Sequence, residues 1–174
     1  MEIRGSLLNT VLLGLALAGS TVTAQAQMRG NAPAASGWVP KSIAYIKSSN
    51  TSHDDQFGYA VALSGDGNTL AVGAQLENGG SKGINGKQDD LSAEDSGTIY
   101  LFTRTGTTWV QKAYIKASNA EAYDEFGSAM ALSKDGKILA VGARSEASAA
   151  KGVNGNMNDN SAPGAGALYI FSNQ

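Results

Sequence analysis

Large and small apolar residues alternate from Phe57 to Leu63. Phe57, Tyr59, Val61 and Leu63 fall on one side of an extended chain, and Gly58, Ala60 and Ala62 on the other. Successive side chains of a strand face opposite ways, so the run predicts a strand. Gly65-Asp66-Gly67-Asn68 follows as an Asp-Gly turn, and Thr69–Ala74 returns as a second strand. A third is predicted over Gly97–Thr103, with Tyr100 and Phe102 on one face and Ile99 and Leu101 on the other. A fourth covers Trp109–Lys116, reached through Arg104-Thr105-Gly106-Thr107. No segment after residue 37 has a helical period. A sheet with one wet side would carry polar residues on that side, whereas these strands carry Ala60, Ala62, Ala71 and Gly73. Both faces are therefore expected to be buried, the small one close to a neighbouring sheet.

The pattern then recurs. Tyr45-Ile46-Lys47 returns as Tyr114-Ile115-Lys116, Phe57-Gly58 as Phe126-Gly127, and Leu70–Ala74 as Leu139–Ala143, each 69 positions on. The second copy predicts strands at Phe126–Leu132, Ile138–Ala143 and Ala167–Phe171, with no fourth strand before Gln174. A repeat of this kind marks stacked supersecondary units. Four antiparallel strands per unit, stacked face to face, describe a β-propeller blade. The fold expected is all-β: two blades, the second lacking its fourth strand. Trp38 to Lys47 resembles Trp109 to Lys116 and reads as a further fourth strand with no blade before it. The domain reading is a signal peptide over 1–26, a linker over 27–37, the edge strand plus first blade over 38–117, and the second blade over 118–174.

Composition adds a compartment. Arg4, an apolar stretch from Leu7 to Ala18, and Ala24-Gln25-Ala26 form the three-part secretory pattern, so a mature chain beginning at Gln27 is expected. The stretch is shorter than the ~20 residues of a spanning helix, so no membrane span is expected after cleavage. The expected location is extracellular, periplasmic or in the cell envelope. Cysteine is absent, which excludes disulfides, thiol nucleophiles and zinc–thiolate sites. A net charge of −2, without a basic run, gives no footprint for nucleic acid.

Phe57-Gly58 with Val72-Gly73-Ala74, and Phe126-Gly127 with Val141-Gly142-Ala143, resemble the FG-GAP repeats of the integrin α-chain propeller and its bacterial relatives. The resemblance covers roughly residues 38–174 and implies a propeller whose loop face tends to bind partners. Two departures stand out. The proline that the family places after Gly-Ala is Gln75 in one copy and Arg144 in the other. The family's calcium loop between strands one and two is reduced to Gly65-Asp66-Gly67-Asn68 and Lys134-Asp135-Gly136-Lys137. Calcium takes about six to eight oxygens, and one Asp per loop cannot supply them, so that site is not carried over.

Antiparallel order puts Ser48–Gln56 and the long connection Gln75–Ser96 at one end. Such loops are functional or disordered. Asp89 and Asp90 in the first long loop and Asp159 in its twin are candidate binding residues, with calcium as one ligand and backbone-bonded Asx turns as the alternative. Asp55 and Asp124 precede each Phe-Gly by two positions and read as turn-fixing carboxylates on the same loop face. Glu77 and Glu146 also repeat, but nothing brings unique carboxylates together as a glycosidase requires. His53, the sole histidine, has no nucleophile motif beside it. Trp38 and Trp109 fit packing better than sugar platforms.

The function expected is a non-catalytic secreted or envelope binding module for a protein or glycan, with no resident cofactor or metal. The alternatives are a fragment of a longer propeller without independent activity and, more distantly, a hydrolase. The unpaired N-terminal strand further predicts a homo-oligomer in which it fills the empty slot of another copy, three copies making six blades and four making eight.

Overall fold

The computed structural model describes residues 41–173. The expected signal peptide, the expected linker and Trp38–Pro40 lie outside the described residues. Seven strands form two antiparallel sheets: β1 (Val61–Leu63), β2 (Thr69–Ala74), β3 (Thr98–Thr105) and β4 (Thr108–Ile115) in sequential order, then β5 (Phe126–Leu132), β6 (Ile138–Ala143) and β7 (Ala167–Ser172). There is no helix among the described residues. The β1–β2 and β5–β6 turns are each tied by an aspartate: Asp66 Oδ1 accepts from Ser64 Oγ at 2.6 Å and Asn68 N at 3.0 Å, and Asp135 Oδ1 accepts from Ser133 Oγ at 2.6 Å and Lys137 N at 3.1 Å.

The sheets stack in series. Ala71, Ile99 and Ile115 on the back of the first meet Phe126, Leu139, Val141 and Ala143 on the front of the second, with Met130, Leu132, Tyr169 and Phe171 packed around them. Fully burying one such large apolar side chain contributes roughly 1.5–3 kcal/mol. The front of the first sheet carries a matching cluster: Val72, Ala74, Tyr100, Phe102 and Tyr114, flanked by Ile46, Phe57, Leu70 and Trp109. Phe57 meets Tyr100 edge-on with centroids 5.5 Å apart, and Phe126 meets Tyr169 likewise at 5.4 Å.

The motif glycines make the seam. A Cβ on Gly73 would lie 2.4 Å from Gly127 O, and one on Gly127, at φ +91°, would lie 2.7 Å from Thr98 O. Backbones this close leave no room for a side chain. Gly127 is also the bulge of β5, whose register shifts between Phe126 and Ala129.

Three expectations change. β1 begins at Val61, not Phe57, because the Gly58 bulge (φ +96°) interrupts it; Phe126, its counterpart, is held in strand geometry by a parallel bridge to Gly97 across the seam. Double-sided burial holds for β2 and β3 but fails for β1: Tyr59, Val61 and Leu63 are exposed on the front of the first sheet. Lys41–Lys47, the described part of the expected edge strand, joins no ladder. A strand needs a partner edge for its N–H and C=O groups, and none among the described residues reaches it.

Candidate interaction surface at the loop end

Antiparallel order carries both long loops and both entry loops to one end, and hydrogen bonds knit them together. Each blade repeats one anchor. In the first, Glu77 Oε1 accepts from Asn50 Nδ2 at 3.0 Å and Oε2 from Gly79 N at 3.0 Å. In the second, Glu146 accepts from Asn119 Nδ2 at 2.9 Å and Ser148 N at 3.0 Å. The same asparagines donate to Gln88 O at 3.2 Å and Met157 O at 2.8 Å, pinning the long loops. The tyrosine of each third strand, Tyr100 or Tyr169, donates its hydroxyl to the asparagine oxygen. Both glutamates are 1 % exposed.

The first anchor has two further members, both from the end of β4. Tyr114 Oη donates to Glu77, and Lys116 Nζ, on a side chain with no exposed surface, lies 3.0 Å from Glu77 Oε2 and 2.6 Å from Ser96 Oγ. Burial pushes Lys116 below its ordinary pKa, and the Glu77 charge opposes that shift. Burial, reinforced by the nearby glutamate, raises the tyrosine hydroxyls, Tyr169 to about 12. They remain neutral donors at physiological pH.

Asp55 and Asp124 are buried and accept from Ser52 N at 2.7 Å and Glu121 N at 2.8 Å, the geometry of a turn-fixing carboxylate. Burial raises the pKa of both, against the pull of those N–H groups. Asp90 and Asp159 are half-buried and tie Asx turns to Ser92 N at 3.2 Å and Ser161 N at 3.0 Å, while Asp89 is exposed. The five candidates thus sit at one end without converging on a point. Among the described residues no group of three or more His, Asp or Glu could hold a metal ion. His53 is exposed beside Asp54 at 2.6 Å. Trp109 is half-buried with the Arg104 guanidinium 5.6 Å from its ring.

The residues that replace the family proline have their own partners. Gln75 Nε2 donates to Gln56 Oε1 at 2.9 Å, and Arg144 pairs with Glu125 at the equivalent place. The residues that sequence reasoning left out of the site are Asn50, Asn119 and Lys116. Their signal was the 69-residue phase itself: Asn50 and Asn119 agree, as do Glu77 and Glu146.

The first long loop exposes Leu91 and the second entry loop exposes Tyr123, and these loops bridge the blades through Tyr123 N to Glu94 O at 2.7 Å and Glu125 N to Asp95 O at 3.0 Å. Serially stacked antiparallel sheets with a motif-glycine seam and a shared loop end define propeller blades. The family model for the FG-GAP repeat matches residues 41–102 and again 109–171, and the chain belongs to that family. Comparison with curated proteins and with solved structures finds no match.

Proposed function

We propose that the chain is a non-catalytic, exported interaction module that presents its loop end to a protein or glycan ligand. The observation that carries this is the construction of that end. Both long loops are held by backbone and anchor bonds, while Leu91, Tyr123 and Asp89 are left exposed. Exposed apolar residues rimmed by polar ones are a feature of contact surfaces. The carboxylates that repeat, Glu77 and Glu146, are sequestered rather than aimed into a cleft. FG-GAP repeats are common in extracellular and envelope proteins, and the family is generally non-catalytic. The secretory pattern at residues 1–26 supports export.

Binding of the labelled, exported chain to intact cells of the species that encodes it tests the proposal. Binding should be lost on Leu91→Ser with Tyr123→Ser. Protease shaving of the cells that abolishes binding identifies a protein ligand, and periodate treatment that does so identifies a glycan. Undiminished binding by the double variant overturns the loop-end assignment. Intact mass of the exported chain should begin at Gln27; retention of Met1–Ala26 refutes cleavage.

A further inference from the structure

The two outer faces of the blade pair are the two halves of the seam between them. The seam sets Ala71, Ile99 and Leu101 against Phe126, Met130, Leu132, Val141 and Tyr169. Sixty-nine positions on, the back of the second blade offers Ala140, Leu168 and Ile170; there Leu168 is 68 % exposed, where Ile99 is fully buried. Sixty-nine positions back, the front of the first blade offers Phe57, Val61, Leu63, Val72 and Tyr100, with Val61 and Leu63 exposed.

The glycines agree. Gly73 is glycine because Gly127 O approaches its Cβ position to 2.4 Å. Gly142 occupies the same place in β6 but lies on the outer face. A Cβ there meets only Ala129, at an ordinary 3.6 Å. Nothing among the described residues requires glycine at 142, whereas a second seam would, with Gly58 O of the incoming blade in the role of Gly127 O.

The anchors agree as well. Beside β4, the long loop of the first blade clasps Tyr114 and Lys116: Asn85 N donates to Tyr114 O at 2.7 Å and Lys116 N to Gly83 O at 2.8 Å. Its twin in the second blade keeps that shape with no strand to clasp among the described residues. Gly152 and Asn154 have φ of 76° and 56°, against 79° and 56° at Gly83 and Asn85, and Val153 between them is 90 % exposed. Inside this clasp, buried Glu146 has no cation among the described residues. The chain carries the complementary piece: Ala44-Tyr45-Ile46-Lys47 repeats Ala113-Tyr114-Ile115-Lys116, lies outside any ladder, and leaves Tyr45 89 % exposed and Lys47 exposed.

We propose that copies of this chain assemble head to tail, the front of one first blade seating on the back of another copy's second blade, with Ala44–Lys47 as that blade's fourth strand and the Lys47 ammonium on Glu146. The contact is heterologous, so it closes into a ring when the rotation permits. Three or four copies give six or eight blades, within the known range of about four to eight. Lys47, rather than Tyr45, is the anchor. Ser148 stands where the first blade has Gly79, and its hydroxyl already donates to Glu146 at 2.9 Å. A Cβ at Gly79 would lie 2.2 Å from Tyr114 Oη, so Tyr45 cannot reproduce the Tyr114 contact unless Ser148 is removed.

Light scattering on the exported chain tests this independently of any ligand. The expected mass is three or four times that of one copy. Gly142→Ala should keep the parent's far-UV circular dichroism spectrum yet run as a single copy, because the methyl group occupies only the outer seam. Lys47→Glu, on an exposed side chain, should do the same. Ser148→Gly should lower the concentration at half-assembly by about tenfold as Tyr45 gains its place. A parent chain that is monomeric at every concentration overturns the proposal and leaves the slot to a following repeat of a longer polypeptide. Assembly undiminished by Gly142→Ala overturns it equally.

Discussion

Glu77→Gln should cost the protein more than Lys116→Met, although both break the same ion pair. The two side chains are 1 % and 0 % exposed, so neither is screened by water. Removing the ammonium leaves the carboxylate with Asn50 Nδ2, Gly79 N and the Tyr114 hydroxyl. The second blade holds Glu146 with a comparable set of neutral donors. The loss is then about one charged hydrogen bond, roughly 1.5–3 kcal/mol. Removing the carboxylate charge leaves the Lys116 ammonium with neutral acceptors only, Ser96 Oγ at 2.6 Å and the amide oxygen, and turns an amide N–H₂ toward other donors. Leaving a buried charge without its partner costs about 3–5 kcal/mol. Urea unfolding followed by far-UV circular dichroism, extrapolated linearly, measures both values. The variants should also part company with pH. The folded pKa of Lys116 already lies below its ordinary value of 10.5, so its contribution is fully present above that value and is lost as pH falls through the folded pKa. Without the Glu77 charge the depression deepens, and the Glu77→Gln deficit should narrow as pH rises towards 10.5. A Lys116→Met cost equal to or above that of Glu77→Gln, or a deficit independent of pH, would refute the reasoning.

Gly73→Ala should destabilise by about 1–3 kcal/mol, because its methyl group is driven into the Gly127 carbonyl and the seam must open; thermal melting within 1 °C of the parent would show that the seam is not close-packed there. Asp66→Asn with Asp135→Asn should leave any calcium-dependent change in melting temperature unaltered, since these carboxylates are occupied by Ser64, Asn68, Ser133 and Lys137. Disappearance of a calcium-induced rise in that double variant would place the ion in the hairpin turns.

Most of the blade framework was legible as period. β2, β5 and β6 fall on their predicted bounds because an apolar alternation and an Asp-Gly turn specify register together. β1 was overextended because alternation carries no mark of a bulge; the glycine that makes one at 58 looks like any small residue on the small face. The aspartates of the loop end were legible as Asx chemistry. The anchor was not, because its members are 27 and 39 positions apart in sequence, Asn50 to Glu77 and Glu77 to Lys116. Only tertiary folding shows that an asparagine, a glutamate and a lysine from three segments share one buried point. A buried lysine is also contrary to what composition favours, and the repeat alone singles out Lys116.

The anchor asparagines grip their loops by main-chain carbonyls, those of Gln88 and Met157, and Gly80 N and Ala149 N likewise bond Asp90 O and Asp159 O. Main-chain acceptors are indifferent to the side chain attached. The two tips accordingly adopt equivalent bonds with different residues, Lys87-Gln88-Asp89 in one and Asn156-Met157-Asn158 in the other. A loop gripped in this way is an interchangeable cassette. Its outward side chains can be rewritten for a new ligand while the glutamate, the asparagine and the tyrosine beneath keep the blade intact, which makes these two tips natural places to graft binding sequences.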